Sequence, residues 1–368
     1  MVRPEETTMW IGTQFLEDMG RLGGDASRYA NDLDRQIVAE PRNPIPYVKR
    51  CLLLQRNSGE ALETVNKALA VVGDNHLLYH QRGMIHTNSR NMEAAERDFR
   101  RAVELEPISF ESNLSLATVL KRLKRYQEAL VYFDRLIEMN PENFVGWNGR
   151  ADVEYRTGDY ERAERHFTAA IFCAPDSNIF YRNRGMVRLK RGRIEEAFAD
   201  FEEDLRLGKS PRDTIRAMKE SVKDYVVSGK PRDGLRILEK ALEFDTQNAD
   251  TLVGLLGLYT HLKEVKQADR ATGKLLEIAR GSDNPQELGS IGEFLLNAGR
   301  VKEAREVAKL LERKGYRVQV VDLDSQNPLQ DQSPLGVEPD KKSKSKLGRN
   351  DTCSCGSGKK YKNCCGGH

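Results

Sequence analysis

Four of the chain's six cysteines fall within thirteen residues, Cys353, Cys355, Cys364 and Cys365, in the spacing C-x-C-x8-C-C. Four thiolates converging from one short segment match a tetrahedral Zn²⁺ site, and ~20 residues cannot build a hydrophobic core without such an anchor. Gly356 and Gly358 permit a tight turn after the first pair. Lys359, Lys360 and Lys362 would offset the negative charge of a tetrathiolate centre and favour thiolate over thiol. Iron is an alternative to zinc, because thiolate tetrads accept both. A redox pair or a disulfide between Cys364 and Cys365 competes with metal on paper. Adjacent cysteines strain that ring, and a cytosolic setting disfavours it.

Elsewhere the residue types that could do chemistry lack the spacing for it. No G-x-x-x-x-G-K-[ST] phosphate loop is present: Gly208-Lys209-Ser210 ends like one, but position 203 is Glu. His76 and His80 stand four apart at the start of a helix and share a face, with no H-E-x-x-H around them, so they read as surface or groove residues. His86, His166 and His261 are isolated, and Cys51 and Cys173 read as small apolar packing groups. The chain reads as non-catalytic.

The string from Gly348 to Cys365, GRNDTCSCGSGKKYKNCC, resembles the SEC-C motif, the metal-binding end of the bacterial SecA preprotein translocase. The resemblance implies that Cys353, Cys355, Cys364 and Cys365 are the ligands; His368 is an alternative fourth donor, but the motif places that role on Cys365. Thr352 and Ser354 stand where the family often has proline, which loosens the turn without removing a ligand.

The element that must present this tail is a repeat. Ala61, Ala95, Ala129, Ala163 and Ala197 recur at a constant 34-residue step, and Phe99, Phe133, Phe167 and Phe201 keep that step four residues later. Pro107, Pro141 and Pro175 follow the alanines by twelve residues; Gly83, Ala117, Ala151 and Gly185 precede them by twelve. The small pairs let partner helices approach, Phe fills the seam to the next unit, and proline stops each second helix on time. Proline at every step excludes one long coiled coil. The pattern resembles the tetratricopeptide repeat, which implies an all-α solenoid of stacked helical hairpins. Extending the register gives eight units: 42–75, 76–109, 110–143, 144–177, 178–211, 215–248, 249–282 and 285–318, with short insertions at 212–214 and 283–284. The end units are degenerate: Lys49 sits where a small residue belongs, and Thr272 and Ala308 replace Phe. Residues 1–41 hold two expected helices, about 12–20 and 26–38, that cap the array.

Charged residues make up 31% and aromatics 7%, which suits a thin two-layer array. No apolar run approaches the ~20 residues of a membrane span. Met1–Trp10 carries acidic residues where a secretory signal would be basic and then apolar, so a cytoplasmic setting with reduced thiols is expected, and the resemblance to SecA implies a bacterial one. Residues 319–347, rich in Gln, Ser, Asp and Pro, read as a flexible linker with a reach of roughly 30 Å. Residues 338–368 hold eight Lys or Arg against three Asp or Glu in a chain of net charge +3, so the tail suits an anionic surface.

By resemblance to the repeat family, first helices line a concave face. Its contact positions here include Lys121, Arg122, Asn148, Asp152, Arg156, Arg182, Asn183 and Lys190. Such a groove suits an acidic peptide or a C-terminal carboxylate. The expected function is a protein-interaction adaptor, with one partner in the groove and a second on the tail. By similarity to SecA, that second partner is an export chaperone, the ribosome or anionic lipid. The alternative is a ribosome- or RNA-associated factor that sets its basic tail on phosphates.

Overall fold

A small residue, a capping residue and a proline repeated every 34 positions specify short paired helices, and paired helices form. The computed structural model describes residues 8–21, 25–54, 57–208, 210–320 and 335–339. Two helices come first, α1 (Thr8–Arg21) and α2 (Ala26–Ala39). Five hairpins follow: α3 (Pro44–Leu53) with α4 (Ser58–Val72), α5 (His76–Asn88) with α6 (Met92–Leu105), and α7 (Phe110–Arg122) with α8 (Tyr126–Met139), then α9 (Phe144–Thr157) with α10 (Tyr160–Cys173) and α11 (Asn178–Lys190) with α12 (Ile194–Gly208). Three more are α13 (Arg212–Val227) with α14 (Pro231–Phe244), α15 (Ala249–His261) with α16 (Val265–Gly281), and α17 (Pro285–Asn297) with α18 (Val301–Arg313).

The expected units open at or near helix starts, with one instructive departure. The sixth begins at Arg212 rather than 215, because the residues read as an insertion extend α13 at its N-terminus to 16 residues. Caps keep the period. Asn75, Ser109 and Asn143 each offer a side-chain oxygen to a backbone N–H in the first turn of the next helix. In the second to fifth hairpins the turn passes through the left-handed region at Arg90, Lys124, Gly158 and Gly192, with φ of 60°, 60°, 86° and 76°.

The periodic alanines are all buried, as are Phe99, Phe133, Phe167 and Phe201. The small partner positions make room for those rings: a Cβ on Gly83 would lie 2.7 Å from Phe99, and one on Gly185 would lie 2.8 Å from Phe201. Lys49, the misfit of the first unit, reaches from α3 to α1, where its Nζ meets Asp18 Oδ2 at 2.7 Å. Tyr29 of α2 donates its hydroxyl to the same oxygen at 3.0 Å, and Ile11 of α1 joins the core of the first hairpin. The two leading helices therefore pack against α3 of the first repeat.

The chain divides into two compact units, Met1–Lys209 and Ser210–His368, at the place where the repeat register slips. In the second unit Thr272 occupies the Phe position by turning its hydroxyl back to the Ala268 carbonyl, 2.9 Å away. The helical solenoid is followed by one short strand pair. Strands β1 (Tyr316–Val320) and β2 (Leu335–Pro339) pair antiparallel, Val318 opposite Val337, with β1 beside α18 and β2 beside α17. Of the stretch expected as linker, residues 319–320 and 335–339 are described, and they lie in these strands. The alternation Tyr-Arg-Val-Gln-Val is a period-two signal, and the 34-residue register overlooks it.

Candidate functional site

Within the first unit α3, α5, α7 and α9 approach one another in succession more closely than α4, α6, α8 and α10 do, so first helices form one shared surface. Three of the expected contact residues meet there. Lys121 of α7 bonds Asp152 of α9 at 2.7 Å, and Arg156, one turn along α9, bonds the other Asp152 oxygen at 3.0 Å. Lys121 also stands over the Phe133 ring, 5.9 Å from its centroid. Arg122 is exposed on the last turn of α7. Asn148 is half-buried, and its Oδ1 is buried with no hydrogen-bond partner. Arg182 turns toward its own hairpin, with Nη1 3.5 Å from Asp204 of α12. Asn183 and Lys190 lie half-buried on α11, and Lys190 has a partner of its own. The basic character of this stretch is thus largely spent on internal pairs.

Those pairs explain how the array tolerates buried charge. Asp98 and Asp200 occupy one repeat position and take Arg82 and Arg184 from the facing helix, at 2.6 and 2.7 Å. Glu164 receives Arg188, Arg191 and Arg193 at 2.9, 2.6 and 2.6 Å. Burial alone would raise the Glu164 carboxyl, but the guanidinium hydrogen bonds outweigh it and hold the group below its usual range. Glu154, also buried, bonds His166 Nδ1 at 2.6 Å while the His166 ring stacks on Trp147.

Sequence reasoning missed a cleft of about 520 Å³ lined mainly by side chains of α3, α5 and α7, with Ser58 and Ala61 of α4. Its wall includes His80, 6% exposed, whose Nε2 lies 3.1 Å from Ser115 Oγ and whose ring leans on Phe99. The His80 Nδ1 is buried without a partner. Burial, with nearby His76 adding to it, pushes the His80 imidazole down to about 4, so it is neutral at physiological pH. Cys51 also lines the cleft, and burial lifts its thiol to about 12. The only sequence signal was the i, i+4 pair of His76 and His80, which marks a helix face and says nothing of a cavity.

The candidate ligands Cys353, Cys355, Cys364 and Cys365 lie outside the described residues. Among the described residues, no group of three or more His, Cys, Asp or Glu is placed to hold a metal ion, and no helix is long and apolar enough to cross a membrane.

Comparison with known proteins gives both modules a context. The tetratricopeptide repeat family model matches residues 81–144 and 148–211, and the SEC-C motif matches 349–367. Protein translocase subunit SecA of Clostridium novyi (strain NT) is 72% identical over 29 residues, covering 8% of this chain and 4% of that protein. A UPF0225 protein of Geobacter sulfurreducens is 61% identical over 31 residues, covering 8% and 19%. The chain therefore spans less than a fifth of the length of these relatives. Among solved structures, the C-terminal part of a TPR repeat-containing protein of Cytophaga hutchinsonii superposes with a TM-score of 0.50 at 13% identity, covering 67% of this chain and 98% of that one.

Proposed function

We propose that this chain, which carries tetratricopeptide repeats and a SEC-C motif, is a non-catalytic adaptor that holds one protein on its first-helix surface and a second on its tail. The observation that carries the reading is the union of two modules in one chain. One is an array whose first helices leave a cleft and polar atoms unpartnered; the other is a short tail shared with a protein translocase subunit. Tethering two modest contacts raises the effective concentration of each, so neither needs high affinity alone.

The tail's donor set fits a metal. Cys353, Cys355, Cys364 and Cys365 would supply four thiolates, a set suited to Zn²⁺ and compatible with iron. Bound there, the ion serves as a structural anchor for a segment too short to fold by burial. Lys359, Lys360 and Lys362 lower the cost of gathering four negative sulfurs and leave the knob basic. By similarity to SecA, an export chaperone or the ribosome is the tail's partner, in a cytoplasmic setting.

Photo-crosslinking from two positions tests the reading. A crosslinker at exposed Arg122 is expected to capture one protein and a crosslinker at Lys360 another. Substitution of Cys364 and Cys365 by Ser should abolish only the second capture. Capture of RNA from both positions, lost as salt is raised, would replace the adaptor with the ribosome- or RNA-associated reading that the +5 charge of residues 338–368 also supports.

A further inference from the structure

The structure assigns the cleft between α3, α5 and α7 as the seat for an uncharged, apolar stretch of extended peptide, with a peptide amide bonded to His80 Nδ1. This rests on the adaptor reading and names the chemistry of its first partner. It also departs from the acidic peptide that the groove positions on α7, α9 and α11 suggest.

The walls select against negative charge. Leu52, Met84 and Leu114 supply apolar surface, and no Lys or Arg is among the lining residues. Glu111 is the one lining carboxylate, so a second carboxylate brought beside it is repelled. The Cys51 thiol and the His80 imidazole are both held neutral.

The polar groups suit a peptide backbone. His80 is more than nine-tenths buried, and an unpaired buried nitrogen is costly enough to need a partner. With Nε2 engaged by Ser115, Nδ1 either donates or accepts according to the tautomer. A peptide group offers both a carbonyl and an N–H. The side-chain amides of Gln81 and Asn88, which also line the cleft, take no intramolecular hydrogen bond among the described residues. They stand two turns apart on α5, about 10 Å along the axis, which is the span of about three extended residues. Met84, one turn from His80 on the same face and 39% exposed, is the adaptable side chain that yields when a ligand reaches Nδ1.

The experiment titrates the full-length chain with acetylated, amidated Gly/Ser hexapeptides carrying one central Leu, Phe or Glu. Binding is followed by fluorescence anisotropy and by the ¹⁵N resonances of the His80 imidazole, identified by their loss in His80→Gln. The Leu or Phe peptide is expected to shift the His80 nitrogens and to bind at least tenfold tighter than the Glu peptide. Met84→Glu at the rim, which leaves the core untouched, should weaken that binding at least tenfold, while Lys121→Ala leaves it unchanged. Unmoved His80 resonances, equal affinity for the Glu peptide, or indifference to Met84→Glu each overturn the assignment. Failure here and failure of the adaptor separate cleanly. If Met84→Glu still crosslinks its protein from Arg122, the cleft is refuted and the adaptor stands; if Arg122 captures no protein, the adaptor falls whatever the hexapeptides do.

Discussion

At position 49 the repeat pattern asks for a small residue, and the chain supplies a lysine that bridges two helices to Asp18. Burial by itself would raise the Asp18 carboxyl, but hydrogen bonds from Lys49, Gln14 and Tyr29 overcome it and hold the group low. A depressed carboxyl contributes stability that is complete above its unfolded value near 4 and is lost as pH falls through the folded value. Lys49→Met keeps the stem and removes the charge. It should lower stability at pH 7 by about 2 kcal/mol, short of the ~3–5 of a fully buried pair, since Asp18 is partly exposed. The gap between the urea midpoints of the two proteins should narrow as pH falls below about 4. His80 runs the same way at higher pH. Its neutral form is favoured in the fold, so protons bind the unfolded chain first, and stability drops as pH falls from about 6.5 to about 4. His80→Gln should flatten that slope in urea titrations across the same window; an unchanged slope would mean that the imidazole is solvated. Neither feature was legible in the sequence. Lys49 appeared only as a misfit, because its partner lies 31 residues upstream and outside any repeat.

What repeats was legible, and it reaches down to single turns. The 34-residue step placed helix starts because every unit restates the same caps, seams and stops. The strand pair and the extra turn of α13 escaped because each occurs once, with nothing to reinforce it. Among the periodic features, the left-handed turn inside the hairpins is satisfied unevenly: Gly158, Gly192, Gly229 and Gly299 fill it in four units, while Arg90, Lys124 and Lys263 hold φ of 60° in three others. A side chain there costs roughly 1–2 kcal/mol against glycine, offset in part by the greater freedom glycine has when unfolded. Lys124→Gly is therefore expected to stabilise by about 0.5–1 kcal/mol, and Gly158→Ala to destabilise by about 1 kcal/mol. Thermal midpoints moving in the same direction for both variants would show that the turn geometry does not govern these hairpins.

At the scale of the whole molecule, the two modules depend on different physics. The array is held by buried alanine and phenylalanine seams passed from hairpin to hairpin, a short-range stability that asks nothing of a metal. The SEC-C motif has 19 residues, too few to close a core, so its order should depend on its thiolates and their ion. Chelation should thus separate the modules. Treatment with a strong chelator at neutral pH is expected to release about one metal ion per chain and to abolish tail-dependent crosslinking, while the far-ultraviolet dichroism of the helices stays nearly constant. Acid should release the metal as well, because protons compete for the same sulfurs. Two readouts on one sample, metal in the filtrate and helicity in the cuvette, make the test decisive. Helix lost in step with metal would mean that the thiolates anchor the repeats themselves, and the division into cradle and tethered knob would then be wrong.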